Sequence, residues 1–315
     1  MWHRVAFLTY NKVLWKLTNV IKPAGLQEGD KVVLISPSGA SSKEKIDAVA
    51  LALKELGLVV EIYEQNYENI GYLAGTDESK LEALHKAFVN RDVKGIFCVR
   101  GGYGCARLLD SLDYDLIRSN PKVLVGMSDI TALQSAILQK AGLITYHGPM
   151  ALHFMNEERK FALDNLRKIL FNGERKIDLG GEVLRLGEAE GQLIGGNLAM
   201  LQSMLATEYE YNYNNAILFF EEVGEYRYSI DRMLQHLRMA GRLKNLKAII
   251  VGQNAYCEND IFGYSFEEIL KNVTKDLDIP IVIGSKFGHK DHHLTLPVGE
   301  SIKLTLTEAE QSIIF

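Results

Sequence analysis

The sequence predicts an α/β fold, with an N-terminal α/β domain built on a mostly parallel sheet and a smaller β-rich C-terminal domain. Three observations predict it. From Asp30 onward, short β-branched apolar runs alternate with helix-period segments, the pattern of βαβ units. The runs break into turns rich in Ser, Pro and Gly. After about residue 165 the alternation gives way to glycine-punctuated extended segments.

Each element has its own signal. Lys31–Gly39 (KVVLISPSG) reads as a buried strand and a turn. Lys43–Leu56 has helical spacing, with Ile46, Val49, Ala50 and Leu53 on one face and Gly57 as its C-terminal cap. Leu58–Glu64 is a second strand and Ser79–Asn90 a second helix. Gly95–Gly104 (GIFCVRGGYG) is a strand entering a glycine loop, and a further helix begins near Ala106. Lys122–Asp129 (KVLVGMSD) is a strand leading into a helix over Ile130–Lys140, and Leu143–Pro149 is one more strand. Arg159–Asn172 is helical. In parallel sheets functional groups gather beyond the carboxyl ends of the strands, so SPSGASS, RGGYG and GMSD should share one rim. The expected organisation is an extension over 1–21, a nucleophile domain over 22–170, a linker over 171–190 and a β-rich domain over 191–315. The last of these closes with a hairpin over Ser301–Phe315.

Composition narrows the function. The 315 residues are 47% hydrophobic and 24% charged, with a net charge of −5 and both signs interspersed, which is no footprint of a nucleic-acid binder. Cys98, Cys105 and Cys257 show no metal spacing, and an odd number argues against a closed disulfide framework. A reducing, cytoplasmic location is the simpler expectation. Met1–Val20 is too short in apolar run and too polar for a signal core or a membrane span, and no later stretch is long enough to cross a bilayer. An amphipathic surface helix or a poorly ordered extension fits those residues, and no role is assigned to them.

Several residues could carry chemistry. Ser128 sits between a strand and a helix, where its hydroxyl is exposed and adjacent backbone N–H groups can stabilise an oxyanion. Ile130 occupies the last glycine position of G-x-S-x-G. Taken alone, the turn fits an N-capping serine better than a nucleophile. Arg100-Gly101-Gly102-Tyr103-Gly104 can form an anion nest or simply a tight turn. Glu221 and Glu222 end the apolar run Ala216–Phe220, which is costly unless they are paired or serve a site. His289 follows the run IPIVIGS, and its neighbours Lys290-Asp291-His292-His293 match no standard metal spacing. Together, Ser, Glu and His at successive strand ends form a triad in the chain order of α/β-hydrolases. The histidine would take the serine proton and the acid would fix its tautomer.

These segments resemble the LD-carboxypeptidase family of serine peptidases, which includes muramoyltetrapeptide carboxypeptidases and microcin C self-immunity peptidases. The resemblance runs from about Lys22 to Gly299. Its most specific stretch is Phe97–Leu133, supported by GQLIGGNLAMLQSMLAT, LFFEEVGEYRYSIDRML and FGHKDHHLTLPVGE. It implies Ser128 as nucleophile, Glu221 as acid and His289 as base. It implies oxyanion donors on the backbone near Gly102 and at Asp129, an active site between two domains, a homodimer, and no metal or organic cofactor. Ala206 stands where the family often has glycine, and Lys290–His293 replaces a commoner small or Asn-containing stretch.

The expected reaction is hydrolysis of an amide between an L-centre and a terminal D-amino acid, most simply D-Ala of murein tetrapeptide. Arg100, Arg107 and Arg232 are candidates for gripping the free carboxylate, and Tyr103 joins Arg100 in the substrate-facing loop. The alternatives are an aminoacyl-nucleotide substrate, an esterase, and a non-catalytic protein that binds an anion or peptide. The first is disfavoured because the only tryptophans, Trp2 and Trp15, lie outside the matched loops.

Overall fold

The computed structural model describes residues 20–171, 173–257, 263–290 and 292–315. The reading of residues 1–21 as an extension therefore falls almost wholly outside the described residues, as does Asp291.

The first half alternates as its pattern predicts. Strands β1 (Lys31–Ile35), β2 (Val59–Ile62), β3 (Val93–Cys98), β4 (Val123–Gly126) and β5 (Thr145–His147) are separated by helices. The helices are α1 (Lys43–Glu55), α2 (Asp77–Val89), α3 (Tyr114–Ser119) and α4 (Ile130–Ala141), with α5 (Ala151–Phe154) and α6 (Arg159–Leu170) following β5. Helix α1 buries Ile46, Val49, Ala50 and Leu53, the face its spacing marks. Helix α2 starts where Thr76 accepts the Ser79 N–H at 3.1 Å. Helix α4 is buried along nearly its whole length, and Gly142 ends it at φ 66°. Only 3-10 turns, Cys105–Arg107 and Leu109–Ser111, stand where a helix was expected to begin near Ala106. The strands run parallel in the order β2-β1-β3-β4-β5. That order reverses direction between β1 and β3, the switch point where parallel sheets open a crevice.

The second half contributes β6 (Lys176–Asp178), β7 (Glu182–Arg185), β8 (Gly187–Asn197), α7 (Leu198–Ser203), β9 (Ala216–Glu221), α8 (Arg227–Met239) and β10 (Ala248–Val251). It continues with α9 (Phe266–Val273), β11 (Ile281–Ile283), β12 (Leu296–Val298), β13 (Ser301–Leu306) and β14 (Gln311–Ile314). Its sheet is eight-stranded, ordered β6-β14-β13-β8-β9-β10-β11-β7. The centre, β8 to β11, is parallel, so this half also carries strand ends on one rim. β13 and β14 form the expected terminal hairpin.

Two expectations about organisation are corrected. Residues 171–190 are not a free linker, because β6 and β7 are edge strands of the second sheet. Nor do the halves separate cleanly in sequence. β12, from the C-terminal half, pairs antiparallel with β5 and becomes the edge of the first sheet. Pro297 within it is tolerated because an edge strand need not donate on its outer side. Among the described residues no helix is long and apolar enough to cross a membrane.

Candidate active site

The first rim is built from three loops. After β4 the chain turns at Ser128, which holds φ 62°. A non-glycine residue in that region stores on the order of 1–3 kcal/mol of strain and persists only where its surroundings enforce it. The surroundings here are close-packed. A Cβ on Gly101 would lie 2.7 Å from Ser128 Cβ and 2.8 Å from its Oγ, so only glycine fits against the serine. Ile130 packs on Gly126, which explains how this turn dispenses with the final glycine of G-x-S-x-G. Ser128 itself is half-buried.

Asp129, 1% exposed, ties the rim together. Its Oδ2 accepts from Ser38 Oγ at 2.6 Å and from the Cys105 N–H at 2.9 Å. The loop after β1 and the glycine loop after β3 are thereby fixed to the serine turn. The Gly39 N–H donates to Gly101 O at 3.1 Å and closes the same triangle. Gly102 holds φ 113° beside Gly39. Its loop is braced from below by Lys80, which is fully buried and paired with Asp77 Oδ1 at 2.9 Å. Burial, and then the negative charge of Asp129, push the Cys105 thiol pKa well up, so this cysteine is a packed apolar group.

The arginines sort themselves. Arg100 Nη1 donates to Ala40 O at 2.7 Å and braces the loop after β1. Arg107 grips Asp77 with Nε and Nη2, the shorter contact being 2.7 Å. Arg232 is exposed on α8. Tyr103 is 48% exposed and packs edge-on against Tyr72, with centroids 5.8 Å apart.

The second rim holds the two residues expected to be acid and base. Glu221, at the end of β9, is fully buried, and its Oε2 lies 2.7 Å from His289 Nδ1. The carboxylate can only accept, so Nδ1 carries the proton and Nε2 is left to act as base. Glu222 points elsewhere. It accepts from Asn197 Nδ2 at 2.9 Å and from the N–H groups of Ala199 and Val223, each at 2.8 Å, and so caps α7. Burial pushes the Glu222 pKa up, against these hydrogen bonds. Burial also pulls His289 down, but the hydrogen bond and charge of Glu221, with the charge of Glu222, outweigh it and raise its pKa above the ordinary value.

The rims are joined through α4. Thr131, the third residue after Ser128, accepts the Asn197 N–H at 3.0 Å, and Asn197 also reaches Glu221 Oε1 at 3.4 Å. Gly196 makes this approach possible, because a Cβ there would lie 2.3 Å from Thr131 Oγ1. Ser38, Thr131 and Asn197 were not singled out by sequence reasoning. The SPSG and LIGGN segments flagged the loops of Ser38 and Asn197, and Thr131 is the threonine of G-x-S-D-x-T in the resemblance, but nothing local marked what these side chains bond. Ala206 is a non-glycine residue at φ 63°, so the glycine common in the family would relieve strain there.

A cavity of about 420 Å³ in the C-terminal half is lined by Arg227, Lys290, Glu182, Gln253 and Asn254 among others, and Ser128, Glu221 and His289 are not part of its lining. Among the described residues, the side-chain oxygens of Gln253 and Asn254 are buried with no hydrogen-bond partner. His292 lies 3.4 Å from Glu158, and His293 is buried. Among the described residues no cluster of His, Cys, Asp or Glu is arranged to hold a metal.

Comparison with known proteins agrees with this architecture. Residues 32–148 match the LD-carboxypeptidase N-terminal domain and residues 190–304 the LD-carboxypeptidase C-terminal domain. A probable murein peptide carboxypeptidase of Bacillus subtilis is 36% identical over 304 residues, spanning 93% of each chain. The muramoyltetrapeptide carboxypeptidase of Oxalobacter formigenes superposes with a TM-score of 0.81 at 30% identity, over 90% of this chain and 97% of that one. The microcin C7 self-immunity protein MccF superposes with a TM-score of 0.86 at 25% identity, over 93% of this chain and 97% of that one. With both domains matched in order and a relative aligned along nearly its full length, the chain belongs to the LD-carboxypeptidase family.

Proposed function

We propose that this protein is a serine-type carboxypeptidase that removes a terminal D-amino acid, D-Ala of murein tetrapeptide, from an L-configured neighbour. The observation that supports this reading is the buried Glu221–His289 pair, linked through Asn197 and Thr131 to the turn where Ser128 holds φ 62° against Gly101. Ser128 Oγ attacks the scissile carbonyl while His289 Nε2 takes its proton. Glu221 holds the tautomer and offsets the imidazolium charge. The backbone N–H groups of Gly102 and Asp129 receive the oxyanion, each worth about 3 kcal/mol of barrier. His289 then protonates the leaving amine, the D-amino acid departs, and water opens the acyl-serine by the same route in reverse.

Arg100 and Arg107 are engaged in bracing contacts, so either would have to give up its partner to grip a substrate carboxylate, whereas Arg232 is exposed on α8. The names of relatives favour the cell-wall peptide. The likeness to MccF keeps an aminoacyl-nucleotide substrate as the second reading. Product mass spectrometry tests both. Incubation with murein tetrapeptide should release D-Ala, whereas the L-Ala-ended tetrapeptide and a simple ester should stay intact, and Ser128→Ala should lower the rate by about 10⁴-fold or more. Turnover retained in Ser128→Ala, or cleavage of an aminoacyl nucleotide in preference to the tetrapeptide, would reject the proposal.

A further inference from the structure

His153 lies on α5, in the half of the chain that carries Ser128, and it is fully buried. Its Nε2 is 2.8 Å from the carbonyl oxygen of Gly288, the residue immediately before His289. A carbonyl can only accept, so Nε2 carries a proton. The Met150 N–H lies 3.3 Å from the other ring nitrogen, which therefore accepts. One neutral tautomer satisfies both contacts.

Two further anchors of the base loop come from the C-terminal half. The Gln253 N–H donates to Phe287 O at 2.7 Å, and His289 donates from Nδ1 to Glu221 at 2.7 Å. These fix His289 to the second sheet. The His153 bond ties the same loop to the opposite half. Gly288, at φ 124°, has no slack of its own, since a Cβ there would meet Gln253 O at 2.6 Å.

Among the described residues, the His153 ring packs against another buried histidine. It meets His293 edge-on, with centroids 4.5 Å apart, and His293 lies 5.1 Å from His147. Burial, with the neighbouring His289 and His153, pushes the His147 pKa down to about 3. Burial, with the neighbouring His153 and His147, also lowers the His293 pKa well below its ordinary value. Both rings are neutral at working pH.

We propose that His153 is a positioning residue for the general base. Its Nε2–H···O bond to Gly288 sets where His289 Nε2 stands relative to Ser128, without touching substrate. The inference rests on the peptidase reading above. The test compares His153→Phe with His153→Gln, whose amide N–H falls near the position of Nε2–H. Since a misplacement of about 1 Å costs about 10²-fold, His153→Phe should lower kcat by roughly that factor with KM little changed. His153→Gln should return kcat to within about threefold of wild type, the spread ordinary for single contacts. ¹⁵N NMR gives a readout independent of turnover. The His289 Nδ1–H resonance should broaden in His153→Phe and stay sharp in His153→Gln. If His153→Phe does not fold, the Gln variant decides alone, because a large loss of kcat at unchanged melting temperature contradicts the hydrogen-bond role. Unchanged kcat or an unchanged Nδ1–H signal in folded His153→Phe overturns the proposal. Failure of the wild type to cleave any test peptide rejects the peptidase reading instead, and the NMR result then decides the role of His153.

Discussion

The two rims of the active site are held in different ways. On the first, Ser128 is set by backbone geometry: a strained φ, a glycine packed against its side chain, and one aspartate joining three loops. On the second, His289 is set by electrostatics: a buried carboxylate on one nitrogen, with a second acid close behind it. A nucleophile needs a fixed direction of attack, which sterics supply. A base needs a fixed tautomer and a tuned pKa, which a neighbouring charge supplies. The rims should therefore fail under different perturbations.

The largest effect should come from altering charge without altering shape. Glu221→Gln keeps the size of the side chain but can donate to Nδ1, which favours the wrong imidazole tautomer. We expect kcat to fall by about 10⁴-fold, with an unchanged circular dichroism spectrum. A loss below tenfold would mean that Glu221 does not serve the base. The complementary change adds one methyl to the first rim. Gly101→Ala places a carbon 2.7 Å from Ser128 Cβ and should displace the hydroxyl. A fall in kcat of about 10²-fold is expected, with an unaltered pH profile, because the Glu221–His289 pair is untouched. A shifted profile in that variant would show that the rims are not separable in this way.

Much of this was legible in the sequence, for identifiable reasons. The inner strands β1, β3 and β4 of the first sheet are short, rich in β-branched residues and largely buried, so each stands out against its helix and its turn. Ser128, Glu221 and His289 stand at the ends of such runs, and parallel topology brings strand ends together. The chain order therefore points to loops after β4, β9 and β11 from the sequence alone, although His289 lies six residues beyond the end of β11. The choice of Glu221 over Glu222 rested on resemblance alone, since both are buried and side by side in sequence. Only the approach of His289 separates them.

What escaped notice is what depends on distant partners. Ser38 is 91 residues from Asp129, and His153 is 135 residues from Gly288, so no local pattern could announce either bond. β6 and β7 were read as linker because they are edge strands of only three and four residues, too short for a periodic signal, and β7 does not alternate between buried and exposed positions. β12 was missed because its three residues contain a proline and their partner strand lies in the other half of the chain. The bracing roles of Arg100 and Arg107 also became visible only with their partners, Ala40 O and Asp77.

The central claim is that Ser128 is a nucleophile activated by His289. Fluorophosphonate labelling, followed across pH with peptide mapping, tests it most directly. The adduct should map to Ser128 and vanish in Ser128→Ala. Its rate should rise with pH, because His289 must lose its proton to act as base. With the His289 pKa raised, the midpoint of that rise should lie above the ordinary histidine value of 6.5. An adduct on another residue, or a labelling rate that does not change across this range, would contradict the account.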